Sequence, residues 1–199
     1  MNVVLLDPSD RQTAADAAAR VEAAAGRSCR VCRMTRALGS DGPPSWKLRF
    51  APGDGLVRTR REPDGLVPAV LLAVDEFAGE DELAIVAADA AQWSKHFQRI
   101  PQALASRLDV FLSFEAEGPG RFVVDPDVTT LLHLTNGLTP ALAWYRTTDL
   151  FVDAAKQVIR KDARWNGQFS ADSLLRELAL HDARVGYHGR PMDDTLAAA

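Results

Sequence analysis

Four sets of side chains in this sequence could do chemistry, and the context of each limits what that chemistry is. Asp89 follows Leu83 to Ala88, an uninterrupted apolar run of the kind found in a central parallel strand. It is therefore expected at the carboxyl end of that strand, the edge where open α/β sheets bind ligands. There it either caps the next turn or holds a metal ion. Cys29 and Cys32 are the only cysteines, and one CxxC without a second pair cannot complete a structural zinc site. Their surroundings, RSCRVCRMT, read as strand and lack the context of a thioredoxin-type redox pair. Arg58, Arg60 and Arg61 in RTRREPD read as a solvated face or as guanidinium forks for an anionic ligand. His96, His133, His181 and His188 show no metal-ligand spacing with one another. No GxSxG, HExxH, P-loop or Ser/His/Asp signature is present.

The elements that would position these groups alternate between helix and strand. Val3 to Leu6 is a short apolar strand, and Asp7-Pro8-Ser9-Asp10 opens an Ala-rich helix that Gly26 ends. Arg30 to Thr35 is the next strand, completing a β-α-β unit with a parallel pair. Ala37 to Asp64 is rich in Gly, Pro and charge; Trp46 to Phe50 and Leu56 to Thr59 could pair across PGDG, and otherwise the segment is a surface loop. Leu66, Val67, Val70, Leu71, Leu72, Val74 and Phe77 wrap most of a helix that Pro68 suits in its first turn. Trp93, Phe97 and Ile100 have helical spacing, with a kink or restart at Pro101. Asp109 to Phe114 is a strand. Arg121 to Val124 and Val128 to Leu134 form an antiparallel pair, and Ala141 to Tyr145 is a further strand. Thr148 is the expected cap of a helix with Leu150, Phe151, Ala154, Ala155, Val158 and Ile159 as its apolar stripe. Ser170 caps a last helix, and Arg184 to Tyr187 is the final strand.

The 199 residues are expected to make one domain, with 47% hydrophobic and 25% charged residues, as in globular proteins. A formal charge of −4 argues against a nucleic-acid surface. No apolar stretch is long enough to span a bilayer and no secretory signal opens the sequence, so a cytoplasmic location is expected.

The stretch GLVPAVLLAVDEFAGEDELAIVAADAAQW resembles the middle of the sugar-phosphate nucleotidyltransferases. These have a three-layer, GT-A type α/β fold: a mixed sheet flanked by helices. Their pattern is a Gly-rich helix start, here Gly65, then an apolar helix, an acidic turn and a strand ending in a metal-binding Asp, here Asp89. The likeness continues through LTPALAWYRTTDLFVDAAKQVIRKDARWNGQFSADSLLRELALHDARVGYH, similar to the family's sugar-binding half. It covers residues 65–188 as a family-like core, with 1–64 as a diverged β-α-β and loop and 189–199 as a tail.

The resemblance implies Gly65 as a nucleotide-contacting position and Mg²⁺ on Asp89. It implies a sugar site from Ala141, Asn166 and Gln168, and His188 as general base because the last strand borders that site. The departures fall on phosphate handling. LLDPSDRQ has no glycine where the family has its phosphate loop. Ala141 replaces a glycine and Gln168 a glutamate, the Glu-Lys pair is missing from TTLLHLTN, and Ala87 stands where a glycosyltransferase would want a second carboxylate. Asp193 or Asp194 could supply the second metal carboxylate near the C-terminus. Each lost donor is typically worth about 10²–10³ in rate. The expected role is therefore an accessory protein or pseudoenzyme that binds a sugar phosphate, a nucleotide sugar, a partner subunit or a second copy. The alternative is an enzyme acting on a related small molecule, including nucleotidyl transfer with a replacement loop from Ala37 to Asp64.

Overall fold

The computed structural model describes residues 1–7, 14–37, 45–51, 58–61, 65–75, 77, 79, 81–87, 89–114, 121–125, 130–135, 140–164 and 167–188. Its strands are β1 (Asn2–Asp7), β2 (Arg30–Ala37), β3 (Ser45–Ala51), β4 (Arg58–Arg61), β5 (Leu83–Val86), β6 (Val110–Ser113), β7 (Arg121–Asp125), β8 (Thr130–Thr135), β9 (Leu142–Tyr145) and β10 (Val185–His188). Its helices are α1 (Ala14–Ala25), α2 (Leu66–Val74), α3 (Trp93–Phe97), α4 (Ile100–Ala105), α5 (Thr148–Arg160) and α6 (Ala171–Leu180).

Eight strands make one mixed sheet in the order β10-β6-β9-β5-β1-β2-β3-β4, and β7 and β8 pair separately. The architecture is the expected α/β class. β1 runs parallel to β2 and β5, and β10 parallel to β6. β9 is antiparallel to both β5 and β6, which makes the sheet mixed. The expected hairpin forms: β3 pairs antiparallel with β4 and with β2.

Strand alternation divides the core into two layers. Leu83, Ile85, Val110, Leu112, Ala143 and Tyr145 pack with α2, α5 and α6 on one face. Ala84, Val86, Phe111, Leu142 and Trp144 pack with α1, α3 and α4 on the other. All four residues of β5, β6 and β9 are buried, which explains their unbroken apolar sequences. Tyr145 and Phe151 meet edge to face at 5.3 Å, joining the sheet to α5. The same alternation separates the cysteines. Cys29 packs with the α1 layer and Cys32 with the α2 layer. Three residues of extended chain hold them about 10 Å apart, beyond the reach of a disulfide.

The cap of α5 differs from expectation by one residue. Thr147 is extended and its hydroxyl accepts the Leu150 N–H at 3.2 Å. Thr148 is buried instead, and its hydroxyl donates to the Asp81 carbonyl at 2.7 Å. The Asn2 side chain donates to the same hydroxyl at 3.0 Å. Ile159, expected in the buried stripe, is 38% exposed because the stripe has rotated past it by the end of the helix. Ser170 caps α6 as expected, accepting the Ser173 N–H at 3.4 Å. Thr147→Ala is expected to lower stability by about 1 kcal/mol and the melting temperature by roughly 2–4 °C. Calorimetry on the single variant checks this.

Candidate functional site

Register carries one row of residues across the sheet near the carboxyl ends of its parallel strands. Arg49 pairs with Arg33, Arg33 with Leu5, Leu5 with Val86, Val86 with Leu142, Leu142 with Ser113, and Ser113 with His188. Cross-strand partners share a face, so this row lies on the α1, α3 and α4 side. Its centre is apolar and its ends are polar.

Asp89 stands just past the row, beyond the end of β5. It is exposed, and its carboxylate accepts the Ala91 N–H at 3.3 Å, capping a 3-10 turn at Ala90–Gln92. Ala141 lies beside Ala87, two residues before Asp89: the Ala87 N–H donates to the Ala141 carbonyl at 2.9 Å. Asp89 and Ala141 thus lie at the same end of the β5–β9 pair. Among the described residues, no group of three His, Cys, Asp or Glu side chains is placed to hold a metal ion. The described residues at this strand end offer Mg²⁺ the Asp89 carboxylate, one oxygen of which accepts a backbone amide N–H.

Gly65 meets Phe169, the residue after Gln168, on the opposite face. Gly65 has φ +113 and precedes α2, and the Val67 N–H donates to the Phe169 carbonyl at 3.2 Å. A Cβ on Gly65 would lie 2.5 Å from that carbonyl oxygen. The glycine is thus where α2 docks onto the backbone of the Gln168-Phe169 turn. Arg164 braces the turn, its guanidinium 4.3 Å from the Phe169 ring centroid and donating to the Gly167 carbonyl at 3.1 Å. Gln168 is exposed. Asn166, Asp193, Asp194 and the segment after Asp7 lie outside the described residues, as do the side chains of Arg58, Arg60, Arg61 and His133.

His188 does not join Asp89 and Gln168 in one pocket, as the sequence suggested. Three strand spacings separate it from Val86 along the row, roughly 14 Å. It also shares the face of Gly186, which packs on Leu108, whereas Phe169 belongs to the α2 layer. Its neighbours are different ones. His96 on α3 is fully buried, with Nδ1 2.7 Å from the Ser113 hydroxyl. Arg99 donates to the same hydroxyl at 2.9 Å. Burial, then the charges of Arg99, Lys95 and His188, push His96 down to about 4. Burial, then Arg99 and Lys95, lower His188 as well. Burial also lowers Arg99. A cleft of about 420 Å³ opens beside this group, between α4 and β10, lined by Arg99, Gln102, Phe111 and His188 among others.

The sequence did not single out Arg99 or Ser113, and showed His96 only as a histidine without metal-ligand spacing to another. The available signal was a histidine and an arginine one helical turn apart, followed by a serine ending the next apolar strand.

Comparison with known proteins bears on the fold. No family model matches the sequence, and no curated protein matches it. Among solved structures, the chain is similar to 4-diphosphocytidyl-2C-methyl-D-erythritol synthase from Anaerococcus prevotii, at 9% identity and a TM-score of 0.51, over 94% of this chain and 87% of that one. A nucleoside-diphosphate-sugar pyrophosphorylase from Vibrio cholerae aligns at 13% identity and a TM-score of 0.45, over 66% of this chain and 59% of that one. The chain thus spans less than two thirds of the pyrophosphorylase's length. The fold is distantly nucleotidyltransferase-like. Among the described residues, no helix is long and apolar enough to cross a membrane.

Proposed function

We propose that the protein binds a sugar phosphate or nucleotide sugar at the carboxyl edge of its sheet, as an accessory protein or pseudoenzyme of a biosynthetic pathway. The observation that carries this reading is the state of the strand end after β5. One oxygen of the Asp89 carboxylate caps its own turn, and Ala87 and Ala141 at the same strand end bring no charge. Transfer of a nucleotidyl group needs concentrated positive charge around a triphosphate. An edge of this composition favours a ligand recognised by neutral hydrogen bonds, with Gln168 at the α5–α6 turn offering both a donor and an acceptor. A sugar suits that chemistry.

A second reading retains nucleotidyl transfer, with the segment from Ala37 to Asp64 replacing the phosphate loop. What favours it is β4, which carries Arg58, Arg60 and Arg61 on the sheet's far edge.

A thermal-shift screen separates the two. Nucleotide sugars and sugar phosphates at about 100 times their Kd should add about 2.7 kcal/mol, a rise of roughly 5–10 °C, with or without Mg²⁺. Gln168→Ala should remove most of it. Stabilisation by a nucleoside triphosphate that requires Mg²⁺ and disappears in Asp89→Ala would instead favour transfer.

A further inference from the structure

The α4–β10 cleft is a site of its own, on the other face of the sheet from Gln168. Its floor is apolar, made by Ala103, Leu108 and Phe111, while Arg99 and His188 line it. Arg99 has one N–H anchored on Ser113 and no carboxylate partner among the described residues, so its other N–H groups remain for the cleft. Lys95 adds positive charge nearby, enough to act on both His96 and His188. The buried His96 Nε2 has no hydrogen-bond partner among the described residues. Arg184, also in the lining, is paired with Asp109 at 3.5 Å, whereas among the described residues no carboxylate pairs with Arg99 or Lys95; these like charges repel one another, and an anion between them would lower that cost.

We propose that this cleft binds a phosphate monoester, with Arg99 and His188 holding the phosphoryl group and Phe111 and Leu108 receiving the organic body. A guanidinium matches two phosphate oxygens at once, the neutral His188 ring can donate one hydrogen bond, and a dianion offsets the charges of both Arg99 and Lys95, where a carboxylate would offset one. The volume suits a small metabolite. Gln102, exposed on the rim, offers an amide to the body of the ligand. The site does not depend on the sugar-binding reading, because it needs neither a sugar nor a nucleotide.

Phenyl phosphate, inorganic phosphate and phenol are suitable probes, followed by calorimetric titration and by the His188 ring signals in NMR. Phenyl phosphate should bind saturably and more tightly than inorganic phosphate, phenol should not bind, and the His188 signals should shift. Arg99→Gln should weaken phenyl phosphate by about 10- to 100-fold. Because Arg99 also braces Ser113, Gln102→Glu provides a second test. It places a negative charge on an exposed rim position and should weaken binding severalfold without touching the core. Absence of millimolar binding, or equal binding by the wild type and both variants, would overturn the proposal.

Discussion

Gly65→Ala is expected to destabilise the protein by about 3 kcal/mol or more, lowering the melting temperature by roughly 6–12 °C. Two independent effects combine. The backbone at Gly65 has φ +113 and ψ −179, a region open essentially to glycine alone. The added Cβ would also lie 2.5 Å from the Phe169 carbonyl oxygen and 2.9 Å from its nitrogen. Both are backbone atoms, so no side chain can rotate away. The same carbonyl accepts the Val67 N–H, and α2 has no side-chain cap of its own. Opening the joint therefore exposes one of the unpaired donors at the helix start. Gly26→Ala is the control. Gly26 has φ +66 and open space around its Cβ, so only the left-handed backbone cost of about 1–2 kcal/mol should appear. If chemical denaturation gives the two variants equal losses, the close docking of α2 onto the turn is not what holds this corner together. The Gln168 turn shares the joint, so Gly65→Ala should also weaken any ligand that Gln168 holds.

Most of the fold was readable from local pattern. Leu83 to Val86 and Leu142 to Tyr145 announce themselves as buried strands because both faces of a central strand are covered. The turn chemistry of PGDG marked the β3–β4 hairpin. What was not readable depends on contacts between distant parts of the chain. Gly65 reads as a helix start in sequence, and its contact with Phe169 appears only once α2 and α6 pack side by side. The face on which His188 lies follows from strand register through Ser113 and Leu142, which no single strand's sequence contains. His96 looks like one more polar residue of a short helix until α3 lies over the end of β6. Thr147 and Thr148 both have capping chemistry, and the choice was made by the Asp81 carbonyl, which holds Thr148 through both its N–H and its hydroxyl.

Acidification from pH 6.5 to pH 4 should remove on the order of 3 kcal/mol of stability through His96 alone. The buried ring is neutral in the folded protein because burial, then Arg99, Lys95 and His188, hold it at about 4 instead of 6.5. Between those values the unfolded chain takes up a proton that the folded one refuses. The stabilisation is therefore complete above pH 6.5 and is lost as the pH falls to about 4. His188, lowered for the same reasons, acts in the same direction. Glu82 and Glu177 are also lowered. Burial opposes the shift at Glu82 and is outweighed there by hydrogen bonds from Arg27 and Trp144; at Glu177 the hydrogen bond from Lys161 dominates. Their contributions are lost at lower pH, as each carboxylate is protonated. His96→Asn isolates the ring, since the amide keeps a hydrogen-bonding group near Ser113 but does not titrate. Urea unfolding at pH 7.5, 6.0, 5.0 and 4.2 should give a wild-type slope steeper than the variant's by up to one proton between pH 6.5 and 4. Parallel slopes would mean that the ring charges freely in the fold, and that the cationic group around Arg99 exerts no force on it. A phosphate monoester held at Arg99 should reduce the wild-type loss, because its negative charge offsets the repulsion that keeps His96 neutral.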